Sequence, residues 1–134
     1  MKKSELAPDE LWEQIANEPV LDTDAIDRLR SLNCSNPPGS KSILQELHEI
    51  LRKDLATYDA KYRAACAEKS IHNARQMAHA IKGASQTAGF RRLEILAGHL
   101  EEEAIGGSLI LGNRLGYRLE SEISNALQDL MGEV

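Results

Sequence analysis

A nucleophile, a cation and a bare backbone position stand close together at His79, Lys82 and Gly83. A free imidazole titrates near pH ~6.5, so an exposed one is mostly neutral at pH 7. One ring nitrogen then has a free lone pair with which to attack phosphorus. A neutral imidazole needs no general base for this, and none is obvious in the surrounding stretch. Lys82, one turn on, supplies a charge suited to phosphate oxygens without being indispensable, since exposed ion pairs are worth only about 0–1 kcal/mol. Gly83 follows at i+4, where a side chain would crowd the ring. A glycine inside a helix costs about 1 kcal/mol relative to alanine. Close approach of another backbone to His79 would offset that cost; a small residue for helix packing is the plainer alternative.

These residues need a helix that turns them outward. On a wheel at about 100° per residue, Ile71, Ala74, Ala78, Ile81, Ser85 and Ala88 form one stripe at i, i+3 and i+4 spacing. His79 falls roughly 130° from the middle of that stripe by the same count. His72, Arg75, Gln76, Gly83 and Gln86 lie around it, with Lys82 at the edge. The helix is expected from about Lys69 to Ala88, with Gly89 as its end signal. Arg75, Arg91 and Arg92 can add positive potential, and Gln86 can bond phosphate or a partner. Solvated helix faces are the ordinary reading of each. The expected partner surface is the outer side of this helix with the start of the next, around His79, Lys82, Gly83, Gln86, Arg91 and Arg92 and an apolar element such as Phe90.

The run His79-Ala-Ile-Lys82-Gly83-Ala-Ser85, with Gly89, Leu93 and Leu100-Glu101 downstream, resembles the histidine-containing phosphotransfer (HPt) domain. That family's signature is His-x-Leu-Lys-Gly-Ser/Ala-Ser/Ala, a later Gly, then Leu and Leu-Glu on the next helix. Ile81 stands here for the usual Leu. By helix pattern the resemblance covers roughly residues 20–131, and its specific part is residues 78–101. It implies that His79 is a phosphoacceptor. The donor would be a phosphorylated aspartate of a response-regulator receiver domain, and a hybrid sensor histidine kinase would stand upstream. Phosphoryl transfer needs a metal and cations on the equatorial oxygens. The chain shows no carboxylate cluster resembling a magnesium site, no Gly-rich phosphate loop and no Walker lysine. No cofactor of its own is therefore expected, and Mg2+ is expected from the receiver.

Composition agrees with a helical domain. The chain has 134 residues, enough for one core. Its apolar content of 42% is ordinary, and aromatics are only 4%. Leu, Ile and Ala dominate the apolar set, which suits helix packing better than a β-sandwich. A net charge of −5 argues against nucleic acid as the main partner. No apolar run approaches the ~20 residues of a membrane span, and the Met1-Lys-Lys start lacks the apolar core of a signal peptide. Cys34 and Cys66 are isolated, which reads as reduced thiols in a cytoplasmic protein.

Along the chain, residues 1–7 look frayed and Pro8 opens a short helix carrying Leu11, Trp12 and Ile15. Asn17-Glu-Pro-Val breaks it. Asp22 or Thr23 caps a second helix with Ile26, Leu29 and Leu32. Residues 33–40 form the clearest loop. Ser42 and Gln45 make a capping box for a long helix ending near Ala67, lined by Ile43, Leu47, Ile50, Leu51, Leu55, Tyr58, Tyr62 and Ala65. The helix after Gly89 carries Leu93, Leu96, Ala97, Leu100 and Ala104 and stops at Gly106-Gly107. Ser108 is a candidate cap for the last helix, lined by Leu115, Leu119, Ile123, Ala126, Leu127 and Leu130; Gly112 and Gly116 weaken its beginning, so a start at Asn113 is the alternative. The expected fold is all-α: an antiparallel up-down-up-down four-helix bundle with extra short N-terminal helices. A single domain over 1–134 is expected, with 1–20 as an N-terminal extension and 21–131 as the bundle.

His48, His72 and His99 read as surface histidines, since no histidine pair has i, i+4 ligand spacing. Glu101-Glu102-Glu103 reads as a solvated run, with Glu101 at the family position and able to help fix the helix. The reading is a monomeric cytoplasmic phosphorelay carrier without catalysis of its own. It would be part of a histidine kinase if it were that enzyme's terminal module. Two alternatives are a helical module that docks receivers without carrying phosphate and a phosphoacceptor like the P1 module of chemotaxis kinases. A metal-dependent helical enzyme is a third.

Overall fold

The computed structural model describes residues 7–32 and 41–133. The expectations for residues 1–6, for the loop over 33–40 and for Cys34 lie outside the described residues. The described chain is all-helical: α1 Pro8–Ala16, α2 Thr23–Ser31, α3 Ile43–Ala67, α4 Ile71–Ala88, α5 Arg91–Ile105, α6 Ile110–Leu115 and α7 Arg118–Glu133.

Helix starts follow their capping chemistry. Pro8 opens α1 with Asp9 and Glu10 in the first turn, where acids meet the positive end of the helix dipole. Asp22 caps α2 by accepting from the amides of Asp24 and Ala25. Ser42 and Gln45 complete a capping box on α3. Ser70 caps α4, so that helix begins at Ile71, two residues later than expected. The positive-φ turn at Lys69 precedes it.

The helix stripes become a core. Ala74, Ala78, Ile81, Ser85 and Ala88 of α4 are buried, while Ile71 is 38% exposed. Leu93, Leu96, Ala97, Leu100 and Ala104 of α5 are buried. On α3, Leu44, Leu51, Leu55, Tyr62 and Ala65 are buried, and Ile50 is turned outward. Ile50 adjoins the inward Leu51 in sequence, and neighbours about 100° apart cannot both occupy one narrow stripe. α4 packs on α3 and α5, and α7 packs on the same two helices. α1 lies against α5 and α6, and α2 against α3. Leu11, Ile15 and Ile26 bring the two N-terminal helices into the same apolar cluster.

The last helix differs from expectation. It is two helices, α6 and α7, parted at Gly116-Tyr117. A Cβ on Gly112 would strike the Tyr62 hydroxyl, so this glycine admits a large α3 side chain beneath α6. Glu103, not Ser108, caps α6 chiefly: its carboxylate accepts from the amides of Leu111 and Gly112, the latter at 2.9 Å. The Ser108 hydroxyl donates to Glu103 and accepts from the Ile110 amide.

Gly89 positions the site. It takes φ 74° and closes α4, a conformation that costs most residues strain. A Cβ there would stand 2.9 Å from Ala25 Cβ. Its carbonyl accepts from the Asp22 amide at 2.7 Å. Phe90 is fully buried beside it. The turn fixes where α5 begins, and with it the register of the α4–α5 hairpin.

Candidate functional site

Three cross-helix neighbours on α4 and α5 are symmetric about Phe90: Gln86 with Glu94, Lys82 with Gly98, and His79 with Glu101. The antiparallel pairing therefore delivers Glu101 to the histidine. Glu101 Oε2 lies 2.6 Å from His79 Nδ1. Its other oxygen, Oε1, accepts from Lys82 Nζ at 3.3 Å. The His79 side chain is 71% exposed while that of Glu101 is 12% exposed. One sheltered carboxylate thus holds both the exposed ring and the cation.

Desolvation alone would raise the Glu101 carboxyl, but hydrogen bonds from His79 and Lys82 outweigh it and hold it below its ordinary value. An ionised carboxylate can only accept hydrogen bonds. Nδ1 therefore carries the ring proton, and Nε2 keeps the lone pair. The arrangement fixes the tautomer and leaves one nitrogen able to attack.

A Cβ on Gly83 would meet nothing within 4 Å. The helix-packing alternative for this residue is thereby removed, and the position is open on the exposed side of α4.

The other expected site residues are not all brought to His79. Gln86 lies on the same side, with its amide donating to Glu94 at 3.1 Å. Arg75 is exposed one turn before His79. Arg91 and Arg92 are engaged elsewhere. Arg91 Nε lies 3.3 Å from a Glu18 carboxylate oxygen, and Arg92 Nε donates to the Glu18 carbonyl at 3.0 Å. They fasten the α1–α2 linker roughly 15 Å along α4 from His79, at 1.5 Å per residue. Phe90, expected as an exposed apolar element of the partner surface, is in the core. The reason is the tight turn at Gly89, which drives the next side chain inward beneath α4.

The solvated reading of Glu101-Glu102-Glu103 also fails in two places. Glu101 is only 9% exposed and serves His79, and Glu103 caps α6. Glu101 was discoverable from spacing: a hairpin turning at Phe90 must set 101 opposite 79. Two further buried carboxylates lie away from the histidine. Burial pushes Asp59 up against the pull of Arg63, and pushes Glu122 up against Arg92 and Arg118. Among the described residues no three His, Cys, Asp or Glu side chains converge as metal ligands would. Among those residues, too, no helix is long and apolar enough to cross a membrane.

A family model described as the Hpt domain matches residues 43–132, from the start of α3 to near the end of α7. No curated protein and no solved structure matches the chain.

Proposed function

The chain belongs to the Hpt domain family, whose role is phosphotransfer in two-component signalling, and from that premise we propose that it is a phosphorelay carrier whose accepting atom is Nε2 of His79. The observation that carries this reading is the 2.6 Å contact of His79 Nδ1 with Glu101. In the forward step the Nε2 lone pair attacks the phosphorus of an aspartyl phosphate on a receiver domain. The P–O bond to aspartate breaks, and its electron pair returns to the aspartate carboxylate. The phosphorylated ring, still holding its Nδ1 proton, is cationic, and the Glu101 carboxylate faces that new charge. The positive ring is then a good leaving group toward the aspartate of a second receiver.

Within this reading Lys82 steadies the phosphoryl oxygens and Gly83 gives the receiver backbone access. Gln86 and Arg75 are secondary partner contacts. Arg91 and Arg92 are not assigned to phosphate, because Glu18 and Glu122 already engage them. Mg2+ would be held by the receiver and would neutralise the equatorial oxygens. The long helices α3, α4, α5 and α7 form the antiparallel up-down-up-down bundle. In support, α4 and α7 each pack against both α3 and α5. The whole chain acts as one domain, a cytoplasmic monomer without catalysis of its own, served by a hybrid sensor kinase. The intact His79–Glu101–Lys82 set favours a carrier over a module that merely docks receivers.

The test is incubation with a phosphorylated receiver panel, followed by acid and alkali treatment. Acid-labile, alkali-stable label on the protein is expected. Label that resists acid, or no label from any receiver, would refute the assignment.

A further inference from the structure

Gly98 is the eighth of the 15 residues of α5. A glycine at a helix midpoint is less favourable than alanine, and packing does not explain this one. A Cβ built on Gly98 would meet a single atom within 4 Å, Lys82 Cδ at 4.0 Å, which is ordinary contact. No core side chain or neighbouring backbone requires the gap. Gly132 is equally open, but it lies in the last turn of α7, where helices fray.

What adjoins the gap is the stem of Lys82. Its ammonium donates to Glu101 Oε1 at 3.3 Å, on the carboxylate whose other oxygen holds His79. At rest the cation serves Glu101. A phosphoryl group on His79 brings nearly two negative charges, against one on Glu101, and Glu101 keeps the Nδ1 proton as a partner. The cation is drawn toward the larger charge. To follow it, the Lys82 stem must shift from where it rests, beside Gly98 of α5. A side chain with γ and δ carbons there would crowd the stem and restrict that shift.

We propose that Gly98 is a positioning residue for phosphotransfer: by leaving α5 bare beside the Lys82 stem, it lets the ammonium pass from Glu101 to the phosphoryl group on His79. The proposal rests on His79 as phosphoacceptor and adds how its cation is delivered. It predicts a dependence between residues 82 and 98 that a purely structural glycine would not create.

Phosphoramidate serves as donor, so that no partner protein enters the test. His79 Nε2 attacks phosphorus, the P–N bond breaks, and ammonia leaves after taking a proton from solvent. The hydrolysis rate of the resulting phosphohistidine is then compared with and without Lys82→Ala in four backgrounds. These are the unaltered chain, Gly98→Leu, Gly98→Gln and, as control, Gly132→Leu. Thermal melts followed by circular dichroism accompany each, and the two Gly98 variants insure against one failing to fold. In the unaltered chain Lys82→Ala should change the rate by about fivefold, the scale of a partly exposed ion pair. The factor should fall to near one in both Gly98 backgrounds and persist in Gly132→Leu. The same factor in the Gly98 backgrounds, or no Lys82 effect in the unaltered chain, overturns the positioning role while leaving His79 as acceptor. Absence of acid-labile phosphate on the unaltered chain overturns the acceptor reading and the proposal together.

Discussion

Glu101 Oε2 and His79 Nδ1 meet at 2.6 Å across 22 residues of sequence. The contact turns a surface histidine into one with a defined tautomer. It also sets a carboxylate beside the ring, where it would face any positive charge the ring takes up.

His79→Gln should abolish labelling by a phosphorylated receiver. The side chain is 71% exposed, so helical content and melting temperature should stay nearly unchanged. His72→Gln serves as control and should label normally. Labelling retained in His79→Gln, read by phosphoprotein mass after alkali treatment, would contradict the assignment.

Glu101→Gln should slow labelling by on the order of tenfold, the value of one charge-assisted hydrogen bond. The same variant has a signature in acid. The folded Glu101 carboxyl is held below its ordinary 4.5, so its stabilising contribution is complete above that value and lost as pH falls through the lowered one. Melting temperature against pH should therefore drop less steeply below about pH 4.5 in Glu101→Gln than in the unaltered chain. Asp59 and Glu122, with raised values, work in the opposite sense and remain in both proteins. Superimposable acid limbs would show that the His79 and Lys82 bonds do not hold the carboxylate.

Lys82→Ala should lower the transfer rate by no more than about fivefold, because the side chain is partly exposed. Lys82→Glu should lower it further, since it adds repulsion of the phosphoryl group to the loss of attraction. Equal rates for the two variants in single-turnover transfer would argue that residue 82 does not face the phosphoryl group.

Gly83→Ala should raise the melting temperature by about 3–6 °C, from roughly 1 kcal/mol of helix propensity at a position where a Cβ meets nothing. Gly83→Leu should fold and yet block transfer from a receiver, by filling the space its backbone must approach. Normal transfer by the Leu variant would make the open position incidental.

Much of this was legible in the sequence because it depends on local rules. Stripes at helical spacing placed α3, α4 and α5 and their buried residues. Ser42 with Gln45, Asp22 and Gly89 marked helix boundaries, since caps and left-handed turns act within a few residues. His79, Lys82 and Gly83 were found as an outward-facing set for the same reason. The misses were long-range or competitive. Gly112 and Gly116 looked like weak points of one helix, and the Tyr62 side chain that needs Gly112 lies on α3. Phe90, Arg91 and Arg92 looked available, until the turn buried the first and the α1–α2 linker engaged the others.

By itself, then, the sequence determined the helices, the outward histidine and the family pattern, because periodicity and capping are properties of neighbouring residues. Only the tertiary structure decided that Glu101 is sheltered and bonded to both His79 and Lys82, and that Gly98 lies beside the Lys82 stem. A run of three glutamates reads as a solvated face until a hairpin register selects one of them. That selection comes from how α5 packs back on α4 about Phe90, a relation between surfaces distant in the chain.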